Sequence, residues 1–222
     1  MMERQMTARW ARYGVGRLLV HAVLACVALF ASPAQAAGPL IWALGDSLTA
    51  GYGLLPNDGF TNQLQAALRR AGVPATVKNG GVSGDTSAQG RARLLWGLRG
   101  LGTKPDLVIV ELGANDMLRG LPTDQAAANL DAILAELKRR NIRMLVAGMK
   151  AAPNLGPTYR RAFDSIYPHL ATKYGAHLYP FFLDGVAGNR GLVQADGLHP
   201  NPRGVQIIVG RMVPAVKAAL AR

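Results

Sequence analysis

The sequence predicts an α/β fold, a three-layer α/β/α sandwich around a five-stranded parallel sheet. Three observations carry that reading. Short apolar runs alternate with longer segments of helical periodicity from residue 39 to the end. The run Leu107-Val108-Ile109-Val110-Glu111-Leu112 is nearly continuous and β-branched, as a strand covered on both faces requires. The 26 glycines among 222 residues follow no period, which fits a loop-rich α/β chain and excludes a fibrous one. Right-handed crossovers then make the sheet parallel. Chemistry is expected outside the carboxyl ends of the strands, near the point where strand order reverses.

The length suits one domain, and an apolar share of 50% can bury a full core, which excludes wholesale disorder. No window reaches the roughly 18 to 20 uninterrupted apolar residues of a spanning helix, so a polytopic membrane protein is excluded.

Residues 1–36 read as a cleaved secretory signal peptide. Arg4, Arg9, Arg12 and Arg17 form a basic start, and Leu18 to Ala31 is apolar except for His21. Ser32-Pro33-Ala34-Gln35-Ala36 then supplies the small-x-small cleavage pattern. The expected cut after Ala36 leaves a single domain, 37–222, placed in the periplasm or secreted. Cys26, the one cysteine, falls inside the leader. Its surroundings resemble a lipoprotein site only loosely, and without it the mature chain has no thiol for a disulfide, a nucleophile or a metal.

Within the domain, Pro39 to Leu44 reads as a first buried strand ending at Gly45-Asp46-Ser47. Phe60 to Ala71 has helical spacing and stops at Gly72. Val73 to Lys78 is a second strand, weakened by Pro74, and Asn79 to Asp85 is a glycine-rich loop before a helix from Thr86 to Leu98. After the strand at 107–112, Thr123 to Arg140 is an amphipathic helix and Ile142 to Gly148 a buried strand. Thr158 to Tyr174 is helical, with Pro168 expected to bend or restart it. His177 to Phe182 is a short fifth strand, and Pro202 to Ala221 a closing helix interrupted at Pro214.

The formal charge of +12 falls on processing. The leader holds four of the 25 bases and one of the 13 acids, leaving 21 against 12, a net of +9. Such a balance favours anionic surfaces or substrates. No basic motif with interleaved aromatics points to nucleic acid, and Lys138-Arg139-Arg140 closes a helix at its negative end.

Four polar blocks occupy loop positions: Gly45-Asp46-Ser47-Leu48-Thr49, Gly80 to Asp85, Gly113-Ala114-Asn115-Asp116, and Asp196-Gly197-Leu198-His199. A serine nucleophile needs a base, a group that orients the base, and donors for the oxyanion. Ser47 suits the nucleophile, His199 the base and Asp196 its orienter. The N–H groups of Ser47 and Gly84 and the side-chain amide of Asn115 suit the oxyanion hole. Asp46, Asp85 and Asp116 read as loop braces, while His169 and His177 lack a matched neighbourhood. Met117, Leu118, Met149, Ala151 and Pro153 sit on loops expected beside the site, where they can line an acyl groove or pack on the core.

These blocks, in this order from Leu40 to Arg203, resemble the SGNH (GDSL) hydrolase family. The segments Ser83 to Ser87, Val110 to Asp116 and Ile166-Tyr167-Pro168 are most similar to its exported bacterial thioesterase I, arylesterase and lysophospholipase group. The resemblance implies a flavodoxin-like topology, no metal and no cofactor. It also implies a serine esterase acting on small acyl esters or thioesters, lysophospholipid among them. Thr49 stands where a Gly-x-Ser-x-Gly elbow has its second glycine, so the α/β-hydrolase motif fails. A carbohydrate acetylesterase using the same residues is the alternative enzyme. A nucleotide- or flavin-binding module is the non-enzymatic one, although Gly80 to Asp85 lacks the Gly-x-Gly-x-x-Gly order. A monomer with at most peripheral membrane contact is expected.

Overall fold

The computed structural model describes residues 38–221. The leader reading of residues 1–36, with Cys26, lies outside the described residues. Five strands, β1 (Leu40–Gly45), β2 (Thr76–Gly81), β3 (Leu107–Glu111), β4 (Arg143–Ala147) and β5 (His177–Tyr179), form one sheet in the order β2-β1-β3-β4-β5. Every pairing is parallel. The helices are α1 (Ser47–Ala50), α2 (Phe60–Arg70), α3 (Ser87–Gly100), α4 (Ala114–Leu118), α5 (Thr123–Arg139), α6 (Gly156–Tyr174) and α7 (Pro202–Ala221). Helices α2 and α7 pack together on one face of the sheet, and α3, α5 and α6 lie side by side on the other. This is the expected α/β/α sandwich.

The core follows from composition. β3 is buried at all five positions, and Ile41, Ala43 and Leu44 of β1 are fully buried. Each large aliphatic side chain so buried contributes about 1.5–3 kcal/mol relative to exposure. Phe60 and Phe182 meet edge to face at 5.0 Å, joining α2 to the segment after β5. Helix α7 is long and apolar enough to cross a bilayer by length and composition alone. Its buried Val205, Ile208, Met212 and Val216 instead belong to the core.

Three boundaries depart from the sequence reading. β2 starts at Thr76 rather than Val73 and takes in Asn79, Gly80 and Gly81, which the sequence alone places in a loop. Its register, Leu40 against Thr76 through Gly45 against Gly81, is set by β1, because edge pairing satisfies backbone groups that a loop would leave open. β5 stops at Tyr179, since Pro180 cannot donate to a ladder. Helices α6 and α7 run through Pro168 and Pro214, where neighbouring packing outweighs one lost hydrogen bond.

Strand order reverses between β1 and β3, so the turns after these two strands flank the crevice where ligands bind in such sheets.

Candidate active site

The turn after β1 presents Ser47 at the first position of α1. The buried Asp46 caps that turn, its Oδ1 accepting from the Leu48 N–H at 3.0 Å. The loop before α7 folds back on itself through the bridge between Val193 and Pro200. Gly197 adopts φ +72° there, a conformation that favours glycine. Asp196 Oδ1 accepts from the N–H groups of Leu198 and His199, at 2.9 and 3.0 Å. Its other oxygen lies 2.6 Å from His199 Nδ1. These three hydrogen bonds, the one from the imidazole foremost, hold the Asp196 carboxyl at about 2. His199 Nε2 stands 2.9 Å from Ser47 Oγ, across 152 positions of chain. A serine hydroxyl, an imidazole and a carboxylate thus meet in one line of contacts.

Tyr52 packs on the imidazole with ring centroids 4.7 Å apart. Gln194 Nε2 donates to the carbonyls of Tyr52 and Pro200, at 2.8 and 3.1 Å, and ties the histidine loop to the serine loop.

The candidate oxyanion groups surround the same serine. Gly84 has φ +87° on a loop fixed by Arg119, which donates to the Gly84 carbonyl at 2.7 Å. Arg93 adds a second tie, binding Asp85 Oδ2 at 2.5 Å and the Gly45 carbonyl at 2.8 Å. Among the described residues, the N–H groups of Ser47 and Gly84 have no hydrogen-bond acceptor. Asn115 differs: its Nδ2 donates to Asp46 Oδ2 at 3.0 Å and to the Asp85 carbonyl at 2.9 Å. Both amide hydrogens are engaged, so Asn115 has to share or redirect one to reach a developing oxyanion. Asp116 holds this loop against α3, accepting from Ser87 N and Oγ at 2.7 and 2.6 Å.

Beneath the serine lies a second buried acid that the sequence reading does not single out. Glu111, at the end of β3, accepts on Oε2 from Asp46 N–H (3.3 Å), Thr49 N–H (3.2 Å) and the Thr49 hydroxyl (2.7 Å). Its Oε1 has no partner among the described residues. Burial, and then the neighbouring Asp46 charge, push the Glu111 carboxyl well above its usual value. Burial likewise raises Asp46 to about 6, against the opposing pull of the Leu48 N–H. A carboxylate inside an otherwise apolar strand is the available signal for Glu111. Arg93 and Tyr52, single residues on helix and loop, offer none.

The crevice over Ser47 is a cavity of about 310 Å³ lined by Tyr52, Gly84, Met117, Leu118, Leu183 and Leu198 among others. A second cavity of about 400 Å³ is lined by Met149, Ala151, Pro153 and Phe181 and shares Ala114, Met117 and Leu183 with the first. Of the five groove residues expected from sequence, Met117 and Leu118 face the serine, and Met149, Ala151 and Pro153 line the second compartment. Leu183, common to both, has no counterpart in the sequence reading. Met117 stands at the junction, its Sδ accepting from the Ala152 N–H at 3.1 Å.

Residues 43–207 match the GDSL-like lipase/acylhydrolase family. The chain belongs to that family. Esterase TesA of Pseudomonas aeruginosa is 38% identical over 195 residues, 88% of this chain and 96% of its own length. Thioesterase 1/protease 1/lysophospholipase L1 of Escherichia coli K12 is 38% identical over 166 residues, 75% of this chain and 77% of that protein. The crystal structure of AlinE4, an SGNH-hydrolase family esterase, shares 50% identity with a TM-score of 0.71, covering 82% of this chain and 96% of that one.

Proposed function

We propose that this carboxylic ester hydrolase cleaves acyl esters and thioesters through an acyl-enzyme on Ser47. The observation that carries the reading is the unbroken line from Ser47 Oγ through the His199 ring to Asp196, at 2.9 and 2.6 Å. His199 Nε2 takes the hydroxyl proton as Oγ adds to the acyl carbon. The carbonyl oxygen becomes an oxyanion facing the free N–H groups of Ser47 and Gly84, with Asn115 as third donor. The imidazolium then gives its proton to the leaving alkoxide or thiolate, and the acyl group remains on Oγ. Water repeats the sequence: His199 removes its proton, the second oxyanion collapses, and Ser47 recovers a proton as the acid departs. Asp196, ionised down to about pH 2, keeps Nδ1 protonated and Nε2 directed at the serine.

The acyl side is read from the cavities. The side chains around Ser47 offer mainly carbon, and the compartment beyond Met117 extends the same apolar path. Medium to long acyl chains suit that path better than acetyl, so an arylesterase, thioesterase or lysophospholipase-type activity is favoured over a carbohydrate acetylesterase. The names of the two relatives, esterase TesA and thioesterase 1/protease 1/lysophospholipase L1, support the same range.

Hydrolysis of p-nitrophenyl esters from acetyl to palmitoyl, by wild type and Ser47→Ala, tests the reading. Activity should peak beyond acetyl and vanish in the variant. Activity confined to acetyl would transfer the assignment to the acetylesterase, and full activity in the variant would remove Ser47 from the nucleophile's role.

Export accompanies the proposal. Residues 1–36 act as the leader, and a monomeric domain works in the periplasm or outside the cell. A mature N-terminus at Ala37, read by mass spectrometry of protein recovered outside the cytoplasm, is the expected result. An intact leader would contradict it.

A further inference from the structure

Helix α3 carries large apolar side chains on its outer side as well as on the side that faces the core. Its inner side combines the small Ser87, Gly90 and Gly97 with Leu94 and the partly buried Leu98. A Cβ on Gly97 would lie 2.6 Å from Cζ2 of the buried Trp42, and one on Gly90 would collide with the Leu112 side chain. The helix therefore sits tight on the sheet, and Leu94 is its one large buried apolar residue. Two of its large apolar side chains face outward. Trp96 is 72% exposed and Leu95 41% exposed. With the exposed Ala88, Ala92 and Arg99 they form one stripe at spacings of three and four residues.

Cations border the stripe. Arg99 is i+3 from Trp96 and lines a depression of about 530 Å³ at the carboxyl end of α3, together with Lys104, Arg139 and Arg140. The nearby acid, Glu136, is already held by Arg139 and Arg140, at 2.7 and 2.6 Å. The four bases against one acid leave the area positive, in a domain, residues 37–222, with 21 bases against 12 acids. Closing the ends of α3 and α5 accounts for Arg99 and Arg139, and for Lys104, whose Nζ donates to the Arg140 carbonyl at 3.5 Å, but it does not account for the exposed tryptophan.

We propose that this stripe docks the enzyme on an anionic phospholipid bilayer. An exposed Trp and Leu supply the part that enters the headgroup region, where an indole is favoured because its ring is apolar and its N–H polar. Arg99, Lys104, Arg139 and Arg140 supply the attraction to lipid phosphates, which screening confines to about a Debye length from the surface. A second copy of the chain is a poor occupant, since it would set the same positive border against itself. The inference stands apart from the hydrolytic reading, because vesicle binding requires no turnover.

The test uses the full chain with Cys26→Ser and a single new cysteine, Ala92→Cys, labelled with an environment-sensitive dye. Vesicles contain either phosphatidylcholine alone or about one third phosphatidylglycerol. The label should shift to the blue on the anionic vesicles and respond at least about tenfold more weakly to the neutral ones. A label at Ala66→Cys, exposed on α2 of the opposite layer, should stay silent. This control separates the stripe from binding by the N-terminal segment. Adding Arg99→Glu and Lys104→Glu, or Trp96→Ser, should abolish the shift at 92 while hydrolysis of a soluble short-chain ester stays at the wild-type rate. A silent label at 92, equal shifts at 92 and 66, or a lipid-independent shift that tracks dimer formation would each overturn the proposal.

Discussion

Asp46→Asn tests the burial of negative charge beneath the nucleophile. Desolvation raises the Asp46 carboxyl from 3.8 to about 6. Between those values the folded chain keeps a proton that the unfolded chain has released. Stability therefore falls as pH rises through the window, and the loss persists above it. Integrated from pH 5 to pH 8 at 1.36 kcal/mol per unit, this one group removes about 1.4 kcal/mol. Glu111 is raised by burial and by the Asp46 charge, so it acts in the same direction and is relieved when that charge is removed.

The asparagine brings a cost of its own. Asp46 accepts from Leu48 N–H through one oxygen and from Asn115 through the other. A carboxamide in either orientation sets an N–H against one of those donors, at about 1–3 kcal/mol and independent of pH. The variant should thus be less stable than wild type at pH 5 and should close the gap by about 1.4 kcal/mol or more at pH 8. With a urea slope of about 2 kcal/mol per molar, the midpoints converge by about 0.7 M. Asp131, Glu136 and Asp196 have lowered values. Their stabilisation is present above the unfolded values and is lost only in more acid solution, so they contribute little between pH 5 and pH 8. Urea titrations of both proteins at the two pH values decide the matter. A gap of the same size at both would show that Asp46 carries no burial penalty, and the electrostatic account of the serine turn would fail.

Two further substitutions probe the site. Asn115→Ala should lower kcat by about 10²–10³-fold if its amide turns to the oxyanion, with KM little changed; steady-state kinetics on one medium-chain ester measure it, and a loss below twofold would leave Asn115 as a brace for Asp46 and Asp85. Met117→Trp should close the junction between the two cavities. At about 0.8 kcal/mol per buried methylene, excluding about four of them lowers kcat/KM for lauroyl or palmitoyl esters by about 10²-fold. Acetyl and butyryl esters are spared, and an unchanged chain-length profile would separate the second cavity from the acyl path.

The strands are legible in sequence because burial on both faces leaves a local mark: Leu107 to Leu112 and Ile142 to Gly148 need no partner to be recognised. β2 is legible only in its first half, Thr76 to Lys78, because its carboxyl half is Asn79-Gly80-Gly81, and only pairing with Ala43 to Gly45 makes those residues a strand. In the site, Ser47, Gly84, Asn115, Asp196 and His199 stand out since each sits in a short polar block on a loop. The resemblance to a known family links the blocks. The supports are harder to read. Arg93 reaches back across 48 positions to the Gly45 carbonyl, and Leu183 becomes a groove residue only when β5 ends at Tyr179 and turns the following segment toward Met117. Long-range contacts of this kind have no periodicity to betray them.

The most direct test of the account is to trap the covalent intermediate. Wild-type protein mixed with p-nitrophenyl decanoate and quenched in acid within the first turnovers should show a decanoyl mass increment on the peptide containing Ser47, and Ser47→Ala should show none and no burst of p-nitrophenol. Turnover by wild type with that peptide unmodified and no burst, or a burst that survives Ser47→Ala, would contradict an acyl-enzyme on Ser47.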